Sequence, residues 1–144
     1  MKFRIEWLGV IAGCTGSTVQ GVEITGAFGY APLTASEGAA YLTLVNRGPD
    51  ADTLVHVTSP VAAGVMLHRA GPSGALVVME PVARLPLPVG ESVRMEPGAL
   101  HLMLMDLAPV PQPGDTVTLQ LEFSRGARQT IRVPIIRYGD PPGT

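Results

Sequence analysis

The sequence predicts an all-β single domain of the Greek-key sandwich or small-barrel type. Short apolar runs alternate with turn signals along most of the chain. The 17 Gly and 14 Pro are spread rather than clustered. No long stretch carries a helical apolar repeat free of Pro or Gly. Many short strands punctuated in this way mark sandwiches and small barrels.

The strands are expected at residues 22–25, 40–46, 53–58, 65–70, 76–80, 92–95, 100–106, 116–123 and 129–135. The clearest is 116–123. There Val117, Leu119, Leu121 and Phe123 alternate with Thr118, Gln120 and Glu122, which is the period of a strand with one buried face. It is followed by Ser124-Arg125-Gly126-Ala127, a hairpin turn with Gly at a positive-φ position. The other connections carry Pro with Gly nearby. They are Arg47-Gly48-Pro49-Asp50, Gly71-Pro72-Ser73-Gly74, Pro86-Leu87-Pro88-Val89-Gly90, Glu96-Pro97-Gly98 and the stretch from Pro109 to Asp115. Each has turn chemistry. The folded domain is expected over residues 21–137, after an N-terminal segment of residues 1–20. Residues 138–144 form a tail expected to fray.

The N-terminal segment reads MKFRIEWLGVIAGC. Two basic residues precede a short apolar stretch. Ile11-Ala12-Gly13-Cys14 resembles a bacterial lipobox, in which the cysteine is lipidated and becomes the mature N-terminus. The apolar stretch is shorter than an ordinary signal core, and Glu6 precedes it. The alternatives are a surface segment with an incidental cysteine, or a trimmed or misassigned start.

Composition narrows the function. Of the 144 residues, 46% are hydrophobic and only 15% charged, enough for one continuous core and against general disorder. The net charge is −2, and the basic residues are scattered. Three Phe, three Tyr and one Trp give few platforms for stacking bases. No nucleic-acid footprint emerges. The single cysteine, Cys14, excludes an intrachain disulfide framework and a cysteine-based zinc cluster.

The chemistry concentrates between Met66 and Met105. Two of the three His and five of the six Met lie there. In a strand, His101, Met103 and Met105 share one face, and Leu100, Leu102 and Leu104 share the other. The leucines form the natural core face. The imidazole and thioethers are then directed outward or into a groove near a sheet edge, and an outward Met row is unusual. Met66 and His68 share a face in the same way. Thioether sulfur is soft and imidazole borderline, a combination that favours Cu(I) over hard cations. Zinc is held by Cys, His and carboxylates. Against this stands ordinary packing, because Met fills gaps in cores and a strand His is often only hydrogen-bonded.

The full pattern is His68-x10-Met79-x21-His101-x-Met103. It resembles the motif of the PCuAC family of periplasmic copper chaperones. Residues 38–46, Met79-Glu80-Pro81-Val82, residues 101–107 and residues 114–117 are similar to successive segments of that family. The segment Gly26-Ala27-Phe28-Gly29-Tyr30 lacks the Trp-Ala-Arg of many members. The resemblance implies a cupredoxin-like fold and one Cu(I) per chain. It implies His68, Met79, His101 and Met103 as the metal ligands. It further implies an extracytoplasmic carrier that delivers copper to the CuA site of cytochrome c oxidase subunit II, alongside a Sco-type protein; the chain itself is expected to be a monomer. A lipid on Cys14 would anchor it to the membrane. Met66, Met95 and Met105 have no place in the motif and are expected to pack, with Met66 or Met105 open to a role as spare ligand. His56 is expected to be solvated, and Glu80 either solvated or orienting the site.

Other functions compete. A blue-copper redox site needs a Cys thiolate with two His, and the domain has no Cys. An enzyme would show a recognisable motif; there is no Gly-x-Ser-x-Gly, His-Glu-x-x-His or phosphate-binding glycine loop. A copper storage or resistance protein, and a β-sandwich interaction module without metal, remain the alternatives.

Overall fold

The computed structural model describes residues 21–33, 36–73 and 76–143, apart from the side chains at 72, 73, 76 and 77. It contains ten strands: β1 (Val22–Tyr30), β2 (Gly38–Asn46), β3 (Asp52–Thr58), β4 (Gly64–Ser73), β5 (Leu76–Pro81), β6 (Leu85–Leu87), β7 (Ser92–Arg94), β8 (His101–Met105), β9 (Thr116–Phe123) and β10 (Arg128–Ile136). No helix is present among the described residues. The N-terminal segment with Cys14 lies outside the described residues.

The strands form one hydrogen-bonded path in the order β5-β4-β8-β2-β1-β10-β9-β3-β6, with β7 added alongside β2. Sequence neighbours are often not spatial neighbours, as Greek-key crossings produce. The path divides into two antiparallel sheets, joined by a short parallel pairing of Gly29 and Tyr30 with Ile135 and Ile136. The fold is all-β and cupredoxin-like. Its core lies between the layers, where Leu42, Leu44, Leu87, Leu102, Leu119, Leu121 and Val133 are fully buried. Each such side chain contributes about 1.5–3 kcal/mol relative to exposure.

The alternation read from the sequence governs β9, whose Val117, Leu119, Leu121 and Phe123 are all buried. β9 and β10 pair in continuous antiparallel register, Glu122 opposite Arg128 and Thr116 opposite Pro134. Gly126 in the turn has φ 92, a conformation glycine adopts without a Cβ penalty. β1 runs on to Tyr30, five residues past its expected end, through a register shift between Thr25 and Phe28. Gly26, at φ 62, absorbs the one extra residue of this bulge.

Two expected turns differ in the structure. The Pro86–Gly90 segment contributes a tenth strand, β6, which pairs Leu85 and Leu87 with Leu54 and Asp52. Pro86 disguises it, but proline is tolerated at a sheet edge, and β6 ends the path. The strand from Gly64 runs on to Ser73, with Pro72 opposite Val77. Pro72 therefore lies within the β4–β5 ladder rather than ending it.

Asn46 ties β2 to this edge. Its Nδ2 donates to the carbonyls of Leu87, at 2.8 Å, and Asp50, at 2.9 Å. Its Oδ1 accepts from the Gly48 amide at 3.0 Å. This buried side chain satisfies backbone groups of both the 47–50 turn and β6. Beyond the last strand, Tyr138 packs against Tyr30 with ring centroids 5.3 Å apart.

Candidate metal centre

Three neighbouring strands, β5, β4 and β8, carry all four residues of the motif. Antiparallel partners share a face of the sheet, so the ladder decides which side chains meet. His68 stands directly opposite His101, and Met66 opposite Met103. On the far side of β8, Met103 faces Ala39 of β2. On the far side of β4, Met79 of β5 faces Ala70. His68, Met79, His101 and Met103 therefore share one face. Alternate positions give the opposite face, where Leu102 and Leu104 enter the core. The alanines opposite Met79 and Met103 leave room for long thioether arms.

The two imidazoles meet across the β4–β8 rung, with ring centroids 5.7 Å apart and planes at 89°. A metal about 2.0–2.1 Å from each imidazole nitrogen allows centroids to stand up to roughly 6.4 Å apart, so the separation is within the span of one shared ion. His101 Nδ1 lies 3.0 Å from the Ala99 carbonyl. A carbonyl only accepts, so Nδ1 carries the proton and Nε2 presents a lone pair. Outer contacts of this kind orient metal-bound histidines. His68 Nδ1 is buried and has no hydrogen-bond partner. Buried polar atoms are rarely left so, and a metal ligand is one role that satisfies such a nitrogen.

Burial across the face is graded. His101 is only 7% exposed, whereas Met66 and Met79 are 40% and 47% exposed. Of the two expected placements for His101, outward or into a groove near a sheet edge, the groove holds and the edge position is corrected. β8 is an internal strand, paired by both β4 and β2, and the edge strand is β5. An aromatic group on β1 and β2 covers the buried end. Tyr41 stacks on Phe28 at 5.1 Å and lies 6.5 Å from the His101 ring. Burial pushes the Tyr41 phenol above its ordinary pKa, and the neighbouring Tyr30 and Tyr138 reinforce the shift. A groove of about 330 Å³ opens over His101 and Met103 and is walled by Tyr30, Leu33 and Tyr138.

The remaining candidates separate clearly. Met95 is buried in the core. Met105 reaches across Gly64, whose Cβ, if present, would stand 2.9 Å from its terminal methyl. His56 is exposed on β3. Glu80 takes the opposite face from Met79, in register with Arg69. Met66 is the residue whose place the sequence left open, and cross-strand register, which the sequence does not reveal, gives it Met103 as partner. Among the described residues, no three His, Cys, Asp or Glu side chains cluster to hold a metal. The other donors that share this face with the two imidazoles are methionine sulfurs.

These features define an all-β, cupredoxin-like domain with a His/Met face on one sheet. Among solved structures, the copper-bound PCuAC domain from PmoF2 superposes with a TM-score of 0.70 at 24% identity, covering 81% of this chain and 93% of that one. The copper(I)-bound solution structure of DR1885 from Deinococcus radiodurans gives a TM-score of 0.68 at 27% identity, covering 86% and 85%. The family model "LpqE-like: Putative lipoprotein LpqE-like" matches residues 22–135, and the chain belongs to that family. A similar curated protein, "Putative lipoprotein Lxx21020" of Leifsonia xyli subsp. xyli (strain CTCB07), is 29% identical over 121 residues, covering 83% of this chain and 72% of its own.

Proposed function

We propose that this protein is an extracytoplasmic copper(I) chaperone that holds one ion through His68, Met79, His101 and Met103. The observation that carries the reading is the His68–His101 rung, with centroids 5.7 Å apart and Met103 two residues along β8 on the same face. Two neutral imidazoles and two thioethers suit a soft monovalent ion, and methionine selects the reduced state. The likeness to a copper(I)-bound domain at 27% identity supports the same ion. The LpqE-like family and its lipoprotein relative support a location outside the cytoplasm with a lipid on Cys14.

A carrier must also release its cargo. The graded face suits this, since the thioethers lie nearer solvent than His101. An incoming ligand can bond the ion before the last protein ligand leaves, so the ion is never bare. We take the acceptor to be the CuA domain of cytochrome c oxidase subunit II, working alongside a Sco-type protein.

Titration with Cu(I) against a competing chelator tests the binding, with one tightly held ion per chain expected. Failure to compete with the chelator would end the reading. Incubation of the loaded protein with an apo CuA domain tests delivery. Copper that stays on the chain in that assay would point to storage instead.

A further inference from the structure

We infer that Met66 is a further copper(I) ligand, alternating with Met79 as the fourth group on the ion. The inference rests on the copper reading above and concerns the same face. His68 opposite His101 and Met66 opposite Met103 are successive same-face pairs of one ladder. The four residues form a two-by-two block of soft ligands. Direct partners in such a ladder have Cβ atoms about 4.5–5.5 Å apart, and diagonal ones about 7–8 Å. Both spans are within reach of a thioether arm.

Met79 lies outside this block. It stands on the edge strand opposite Ala70, one same-face step from His68 in the direction away from Met66. The His68–His101 pair thus has a thioether toward each end of β4: Met79 of β5 toward one and Met66 of β4 itself toward the other. Both are substantially exposed, at 47% and 40%. Packing does not account for Met66 as it does for Met95 in the core and Met105 over Gly64. Met66 also lines an open cavity of about 300 Å³ with His56 and Val82, one that Met79 does not line.

The exchange is simple in its chemistry. A bond from copper to the Met66 sulfur forms as the bond to the Met79 sulfur breaks. Both ligands are neutral, so the charge on the ion, its oxidation state and all protons are unchanged. In one state the edge strand closes the site; in the other Met79 is free and the ion is open toward β5. Release then begins from the Met66-bound state.

The test uses the full chain labelled with ¹³C at the methionine methyl groups, with Cu(I) added to one equivalent. Met66 is expected to shift together with Met79 and Met103, while Met105 serves as the control on the same face. Met79→Leu should enlarge the Met66 shift and weaken binding only modestly. Adding Met66→Leu should then weaken binding by about tenfold beyond the product of the two single effects, within the range of coupling between neighbouring sites. Met-to-Leu exchange nearly conserves volume and keeps the fold. A Met66 methyl that stays fixed, with single losses that simply multiply, would overturn the inference and leave the four-ligand site standing. If Met103, His68 and His101 also fail to respond, the copper reading falls and this inference with it.

Discussion

At the level of single residues, the face is built from side chains whose chemistry is set by what covers them. His101 is held in one tautomer by the Ala99 carbonyl, and Met103 lies beside it above a groove. Met103→Leu keeps the shape and removes the soft donor. We expect Cu(I) affinity to fall by about tenfold or more, since each 1.4 kcal/mol is a factor of ten, while stability changes by less than about 1.5 kcal/mol. Chelator competition and thermal melting on the same sample check both halves. Tyr41 makes a second, independent prediction. Its pKa is raised above 10.0, chiefly by burial, so the folded state favours the neutral phenol. The corresponding stability is fully present below pH 10, the unfolded value, and is lost as pH rises through the higher folded value. Urea unfolding at pH 8 and above pH 10 should show the wild type losing stability and Tyr41→Phe losing less.

Strands and turns show where the sequence speaks and where it is silent. The alternation in β9 is legible because one face is wholly apolar. The hairpin after it is legible because Gly126 marks the turn. β6 was not, because Pro86 and Pro88 carry turn chemistry, and only the neighbouring β3 makes an edge strand of Leu85–Leu87. The same limit applies to the site. The shared face of His101 and Met103 follows from strand period alone, and a family motif links His68 and Met79 to them. That Met66 stands opposite Met103 depends on cross-strand register, which no local pattern encodes. The burial of His101 was also hidden, because β8 becomes internal only when β2 pairs with its other side. Asn46 gives the test at this scale. One of its hydrogen bonds fastens the end of β2 to Leu87 of β6, and two more hold the 47–50 turn. Asn46→Ala strands those backbone groups, and the expected loss is about 3 kcal/mol, the upper end for a buried unsatisfied group. Equilibrium denaturation measures it, and a loss below about 1 kcal/mol would show that water replaces the side chain.

Across the whole molecule, labour is divided between two sheets. One carries the His/Met face; the other, from β10 to β6, supplies the opposing wall of the core. Leu121→Ala, in the second sheet, should cost about 2–5 kcal/mol through the cavity it leaves. Cu(I) affinity measured well below the unfolding transition should change by no more than roughly twofold, as distant sites are nearly additive. A larger change would mean that the two layers are mechanically coupled.

The rung between β4 and β8 has one more implication. Its imidazoles stand on strands already fixed by backbone hydrogen bonds, and β8 is braced on both sides. An empty and a filled carrier would then present the same outline. A recipient could tell them apart only by the surface chemistry of the thioether face. The direction of traffic would be set by which protein binds the ion more tightly, with no change of shape needed to drive it.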